Sequence, residues 1–213
     1  MQRLPLFPLN VVLYPGAQLP LHIFEQRYRL MIGRCIEEQK PFGVVLIREG
    51  VEIGGSAVPY LVGTLAEIES AYRLADGRMY IVSMGKQRFR INYPLTVDPY
   101  MVAMVTLLED EAGDQSQAQE LIALYHQYHR SVMAVTGMRS TPLDLPSDPT
   151  ALSYSLADQM QMALPIKQRW LESTVDERLG SLAEAIHFEM NLLPPIAPPG
   201  LEREPPFDNT SWN

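Results

Sequence analysis

From Leu4 to Phe24 the chain reads LPLFPLNVVLYPGAQLPLHIF, with no Asp, Glu, Lys or Arg. That is about the length of a membrane span, but Pro5, Pro8, Pro15 and Pro20 interrupt it. Each proline lacks a backbone donor and costs a helix interior about 3 kcal/mol. A spanning helix is therefore excluded. So is a secretory signal, whose apolar region is one short uninterrupted run. What remains is a set of extended segments, buried in a core and turned at Pro15-Gly16. The rest of the fold has to be built around them.

The next hundred residues continue in strands. Phe42–Ile47, FGVVLI, is a short branched apolar run of the buried-strand kind. Val62–Tyr72 and Met79–Tyr93 flank Ala75-Asp76-Gly77-Arg78, and Asp-Gly is a strong hairpin signal. Tyr100–Leu108 resumes a strand pattern after Pro99. One helix is embedded here, at about Glu25–Gln39. Tyr28, Met31, Ile32, Cys35 and Ile36 recur at helical spacing, with Arg27, Arg34, Glu37 and Glu38 on other faces.

The second half is helical. Ala118, Leu121, Ile122, Tyr125, His129 and Val132 mark an amphipathic helix ending at Gly137. A turn-rich link, Ser140–Pro146, follows. Asp148-Pro149 offers an acidic cap and then proline at the first helical position. Leu152, Leu156, Met160 and Ala163 form the stripe behind it. Pro165 opens a short helix carrying Ile166 and Trp170, and Thr174 with Glu177 fits a capping box. Val175, Leu179, Leu182, Ile186 and Met190 continue behind that box.

Charge follows the same division. Residues 1–108 hold 11 basic and 9 acidic groups, and residues 109–190 hold 5 and 13. Two structural units are expected, at about 1–110 and 115–190. The stretch 191–213 carries six prolines and few core formers, and reads as an extended, largely disordered tail. The net charge of −8 argues weakly against nucleic acid as the main partner.

Several pieces together carry a resemblance. PLFPLNVVLYPG, LPLHIFEQRYRLMI, FGVVLI, VGTLAEI at Val62–Ile68 and LADGRMYIVSMGKQRFRI at Leu74–Ile91 occur in that order. LPSDPTALSYSLADQMQM and IKQRWLE follow. Between Leu4 and Met190 the chain resembles the N-terminal substrate-recognition domain of Lon proteases, the LON domain. The resemblance implies an α+β fold: a PUA-like β-barrel or pseudobarrel with one embedded helix, then a C-terminal helical bundle. It implies binding of unfolded or tagged polypeptides, which a separate protease would then receive. Full-length Lon proteases add an ATPase and a Ser–Lys peptidase module, for which this sequence has no room. The expected function is therefore recognition without hydrolysis.

The residues agree that no catalytic site assembles. A phosphate-binding loop needs G-x-x-x-x-G-K-[ST]. At the one Gly-Lys pair, Gly85-Lys86, Tyr80 stands where the first glycine belongs and Gln87 replaces Ser or Thr. There is no G-x-S-x-G elbow. Cys35, the single cysteine, lies on the apolar helix face and reads as a packing thiol. One thiol excludes an internal disulfide and a cysteine-based zinc site, and suits a reducing, cytoplasmic setting. His126 and His129 are one helical turn apart but lack a third ligand, and His22 is expected near a sheet edge. No metal or cofactor is expected.

Two clusters remain as binding candidates. The family's HIFExRY pattern falls on His22–Tyr28 and marks Phe24, Glu25, Arg27 and Tyr28 as a possible protein-binding surface, against a structural reading as cap, ion pair and packed ring. Lys86, Arg88 and Arg90 alternate along a strand, so they are expected on one face. That face is either a solvated exterior or, as the rival reading, an RNA-binding stripe. Met101, Met104, Met160 and Met162 could furnish an adaptable apolar groove, with core packing as the default.

Overall fold

In the computed structural model, residues 1–52, 57–96, 99–137 and 144–194 are described. The opening apolar stretch is cut into two strands, β1 (Gln2–Leu9) and β2 (Gln18–Ile23). Pro5 and Pro8 lie inside β1, where a missing donor is normally costly. The pairing explains why they are tolerated. Gln2–Pro5 pair antiparallel with β7 (Val102–Leu107), whereas Leu6–Leu9 pair parallel with β3 (Phe42–Gly50). Each half of β1 has one strand partner, so each proline has an unpaired side.

The parallel β1–β3 pair requires a crossover, and β2 with α1 (Gln26–Glu38) supplies it. Strands β4 (Ala57–Pro59), β5 (Val62–Arg73) and β6 (Met79–Thr96) complete the sheet in the order β1-β7-β6-β5-β3-β4. The β1–β3 contact closes this path into a barrel, and β2 lies against β6. The Asp76-Gly77 hairpin forms as expected, closed by Leu74 N–H to the Arg78 carbonyl at 2.8 Å. β4 has no counterpart in the sequence reading.

The barrel interior is small: Leu4, Leu6, Val45, Leu65, Phe89, Ile91, Ala103 and Val105. A second core lies beneath α1, where Tyr28, Met31, Ile32 and Cys35 meet Phe7, Ile23, Met79 and Ile81. A third belongs to the helices α2 (Gln115–Thr136), α3 (Pro149–Gln159), α4 (Leu164–Glu172) and α5 (Val175–Leu192). It also takes Val12, Tyr14, Leu46 and Val62 from the strands. The expected caps are present. Asp148 accepts from Ala151 N–H at 2.8 Å, with Pro149 opening α3, and Thr174 and Glu177 form the capping box. α2 departs from expectation: Ala118, Leu121 and Tyr125 are buried, but His129 and Val132 are only half covered. Met101, Met160 and Met162 do not line one groove, and Met104 is half-buried on β7. Met160 is in the helical core, while Met162 and Met101 pack against two different cores.

Strands and helices are joined by a buried polar hub. Arg178 of α5 is completely buried. Its Nε donates to Ser153 Oγ at 2.9 Å, its Nη1 to the Trp170 carbonyl at 2.9 Å, and its guanidinium lies 3.9 Å from the Tyr154 ring centre. Asp110, after β7, accepts from Arg88 at 2.6 Å and from the Tyr154 hydroxyl at 2.7 Å. It stands 3.6 Å from Arg178. Burial drives the Tyr154 and Tyr14 hydroxyls above their ordinary range, so both stay protonated as donors. The Tyr14 hydroxyl reaches the Lys167 carbonyl of α4 at 2.8 Å.

Of the Pro-rich stretch, Asn191 and Leu192 finish α5, and residues 195–213 lie outside the described residues, as do 140–143 of the expected link Ser140–Pro146.

Candidate functional site

The ribbon formed by β2, the first part of β6 and the last part of β5 has two unlike faces. Ile23, Met79 and Ile81 point into the core beneath α1. Their sequence neighbours must then point outward, because strand side chains alternate. His22 lies directly opposite Tyr80, and Tyr80 directly opposite Tyr72. The three side chains thus form one row across three strands. His22 and Tyr80 stack, with ring centres 4.5 Å apart and planes at 15°, and Phe24 extends the row 5.7 Å from His22.

These rings are presented to solvent. Tyr72 is 67 % exposed, Tyr80 50 % and Phe24 45 %. Tyr72, Tyr80 and His22 line a depression of about 480 Å³ together with Pro20, Val82 and neighbouring ribbon residues. Stacked, two-torsion aromatic rings on a hydrogen-bonded ribbon offer large contact area at little entropic cost. Pro20 also removes a donor from β2, an edge strand, which blunts it against chance strand addition. The chemistry on offer here is contact with apolar and planar groups.

The four residues marked from the HIFExRY pattern part company. Phe24 joins the exposed row. Glu25 precedes α1 but makes no side-chain cap bond; instead it pairs with Arg27 at 3.1 Å. Arg27 also donates to the Glu52 carbonyl at 3.3 Å and lies 4.5 Å from the Tyr28 ring centre. Tyr28 is only 5 % exposed and stacks on Phe7 with centres 4.0 Å apart. It belongs to the core and not to a surface. His22 lies on the edge strand β2, as expected, and there it stands in the row between Phe24 and Tyr80.

The basic stripe is also divided. Lys86 sits at an irregularity in the β5–β6 register and pairs with Glu67 at 3.4 Å. Arg90 is exposed. Arg88, between them, is 6 % exposed. It donates to the carbonyls of Leu171 and Ser173 at 2.8 and 2.9 Å and pairs with Asp110. The expectation that all three share one open face is corrected: the outside of the barrel at Arg88 is covered by the helices.

Cys35 is buried, and burial first, then Glu38, pushes its thiol up to about 11. At pH 7.5 a disulfide reagent should find no thiol within minutes until denaturant is added, with reactivity rising only as pH approaches 11. A fast stoichiometric reaction in the native protein would show the site to be open. His126 and His129 lie on α2, and among the described residues no group of three His, Cys, Asp or Glu side chains could hold a metal. Among the described residues no helix is long and apolar enough to cross a membrane.

Comparisons with known proteins agree with this architecture. The family model for the ATP-dependent protease La (LON) substrate-binding domain matches residues 3–187. The Lon protease of Cytophaga hutchinsonii is 29 % identical over 185 residues, covering 79 % of this chain and 22 % of that protein. The Escherichia coli K12 Lon protease is 27 % identical over 198 residues, covering 90 % and 25 %. The chain thus spans about a quarter of the length of these relatives. Among solved structures, the Lon N-terminal domain protein from Xanthomonas campestris superposes with a TM-score of 0.66 at 24 % identity, covering 91 % of this chain and 100 % of that one. The N-terminal domain of Mycobacterium avium complex Lon protease gives 0.61 at 19 %, covering 87 % and 98 %.

Proposed function

The chain belongs to the LON substrate-binding domain family, and from that premise we propose that it binds unfolded polypeptide without cleaving it. Extended client segments lie over the row formed by Phe24, His22, Tyr80 and Tyr72, and a separate protease receives them. The observation that supports this most is the exposure of three aromatic rings grouped on and beside one hydrogen-bonded ribbon. Folded proteins rarely leave such rings grouped in solvent unless the patch has a partner. A phosphate track along the basic strand, the RNA-binding alternative, would have to use Lys86 and Arg90 without Arg88, which is buried.

The test is fluorescence anisotropy with a permanently unfolded protein such as reduced, alkylated casein, against a folded control. The unfolded probe should bind and the folded one should not. The paired substitution Tyr72→Ser and Tyr80→Ser should weaken binding by about tenfold or more and leave the melting temperature nearly unchanged, since both rings are exposed. Equal binding by the variant would remove the row from the reading. Casein should stay intact with or without ATP; cleavage by the purified chain would overturn the non-catalytic part.

A further inference from the structure

The ribbon that carries the aromatic row has an open strand edge. β3 begins at Phe42, opposite Ala66 of β5. Before Phe42 the chain does not run on alongside β5. Gln39, left-handed at φ 50°, ends α1, and Lys40 and Pro41 lead from there into β3. Among the described residues, β5 beyond Ala66 therefore has one strand neighbour, β6. A depression of about 570 Å³ lies along its other side. Five successive residues, Glu67 to Ala71, line it together with Ile36, Gln39 and Pro41. Successive strand side chains point to opposite faces, so a depression touching all five follows the edge of the strand.

The pairing fixes which main-chain groups face outward there. Leu74 N–H donates to the Arg78 carbonyl at 2.8 Å, so position 74 is turned toward β6. In an antiparallel ladder this orientation alternates. Tyr72 and Ser70 then bond to β6, and Arg73 and Ala71 direct their N–H and C=O outward. The far side of β6 agrees. Gly85 bonds to Gly16 and Ala17 beside β2, which turns Ser83, Ile81 and Met79 toward β2 and leaves Val82 and Tyr80 for Ser70 and Tyr72. Ser70, Ala71, Tyr72 and Arg73 are all exposed, and a register irregularity between Ile68 and Ser70 ends the regular edge at them. The opposite edge of the ribbon is blunted: by the same alternation Pro20, opposite Val82 in β2, faces outward with no donor.

We propose that β5 takes up an extended polypeptide segment as an added strand, its main chain bonded to Ala71 and Arg73 and one side chain continuing the aromatic row beside Tyr72. This rests on the polypeptide-binding reading above and gives it a binding mode. Outward N–H and C=O groups on alternate residues match another extended main chain. A phosphodiester chain offers acceptors and charge but no matching row of N–H groups, and Glu67 and Glu69 on the same edge repel it. Side chains of the added strand alternate as well. The one opposite Tyr72 lies on the outer face, next in line after Phe24, His22, Tyr80 and Tyr72, where an aromatic or branched residue packs best. Its neighbours fall on the α1 side, and the one opposite Arg73 suits an acidic residue. A ladder built on Ala71 and Arg73 alone is too short to hold a lasting dimer of this chain. It suits a client that the row holds at the same time.

The experiment measures binding of reduced, alkylated casein to the full chain and to two variants. Ala71→Pro removes an outward donor at a position where an edge strand tolerates proline, and Ala71→Thr keeps that donor. Ala71→Pro should bind about fivefold or more weakly than Ala71→Thr, at similar melting temperatures. Amide exchange of the unsubstituted protein, read by NMR, is a second readout that needs no variant to fold. The Ala71 and Arg73 amides should exchange fast in the free protein and about fivefold or more slowly with casein bound, while the Tyr72 amide, already bonded to β6, changes less. Equal binding by the two folded variants, or unchanged exchange at both amides with casein bound, would overturn strand addition and leave polypeptide binding standing. Failure of casein to bind the unsubstituted chain would overturn both. Slow exchange at these amides in the free protein that quickens on dilution would place a second copy on the edge and overturn the proposal in its favour.

Discussion

Replacing Asp110 by Asn should cost about 3–5 kcal/mol of folding stability, the range seen when one partner of a buried ion pair is removed. With a urea slope of about 2 kcal/mol/M, the midpoint should fall by roughly 1.5–2.5 M. The size of the effect follows from the charge count at the hub. Arg88 and Arg178 are 6 % and 0 % exposed, and among the described residues the salt bridges of both go to Asp110. Neutralising that carboxylate leaves two guanidiniums facing each other away from water. It also weakens the acceptor for Tyr154. Removing one cation as well should recover part of the loss: Arg178→Met added to Asp110→Asn should be less destabilising than the two single effects combined. The exposed pair Lys86–Glu67, at 3.4 Å, supplies the control, since Glu67→Gln should cost about 0.5 kcal/mol or less. If the Asp110 and Glu67 variants unfold at similar urea concentrations, the hub does not hold strands to helices.

Half of that hub could be seen in the sequence. Val175, Leu179, Leu182 and Ile186 define a buried helical stripe, and position 178 falls inside it by the same spacing. An arginine there has to be buried and has to find partners. Which partners is not local information: Asp110 lies far off in sequence and meets Arg178 only once α5 docks against the strands. Arg88 departs from its strand pattern for a related reason. Alternation along β6 sends it to the outside of the barrel, but alternation does not say which part of the outside the helices cover. The register irregularity beside Lys86 further separates it from its neighbours.

The aromatic row shows the same limit. Tyr80 lies between Met79 and Ile81, and His22 between Leu21 and Ile23, so each had to face away from the core. That signal was available in the sequence. Their stacking was not, because it depends on β2 pairing with β6 in a single register. Features set within a few residues were read correctly: the Asp76-Gly77 hairpin, the Asp148-Pro149 start and the Thr174 capping box. Each is a backbone preference satisfied by neighbouring side chains. Parallel pairing of β1 with β3 has no such local signature, since the connection between them carries a strand and a helix of its own.

The close approach of two backbones at Gly85 sets the second large effect. Gly16 N–H donates to the Gly85 carbonyl at 2.8 Å, and Gly85 N–H donates to the Ala17 carbonyl at 2.9 Å. A methyl group at position 85 would run into the carbonyl of Tyr14. That obstacle is backbone and cannot swing aside as a side-chain tip could. The loop would have to move, and Tyr14 with it. Tyr14 is fully buried, packs beside Tyr154 with ring centres 6.0 Å apart and holds the Lys167 carbonyl. A local clash would thereby loosen the junction between strands and α4. Gly85→Ala should therefore cost about 3 kcal/mol or more, at the upper end for overpacking, with a lost buried hydrogen bond adding about 1 kcal/mol. Hydrogen exchange should rise together in residues 13–17 and 164–172, although the substitution touches only the first of these. Gly180→Ala on α5 provides the opposite sign. Nothing lies within 4 Å of a methyl group there, so the exchange should stabilise the helix by about 0.5–1 kcal/mol. Destabilisation by Gly85→Ala with exchange confined to residues 13–17 would show that Tyr14 does not transmit the strain. A neutral Gly85→Ala would show that the loop has room the geometry denies it.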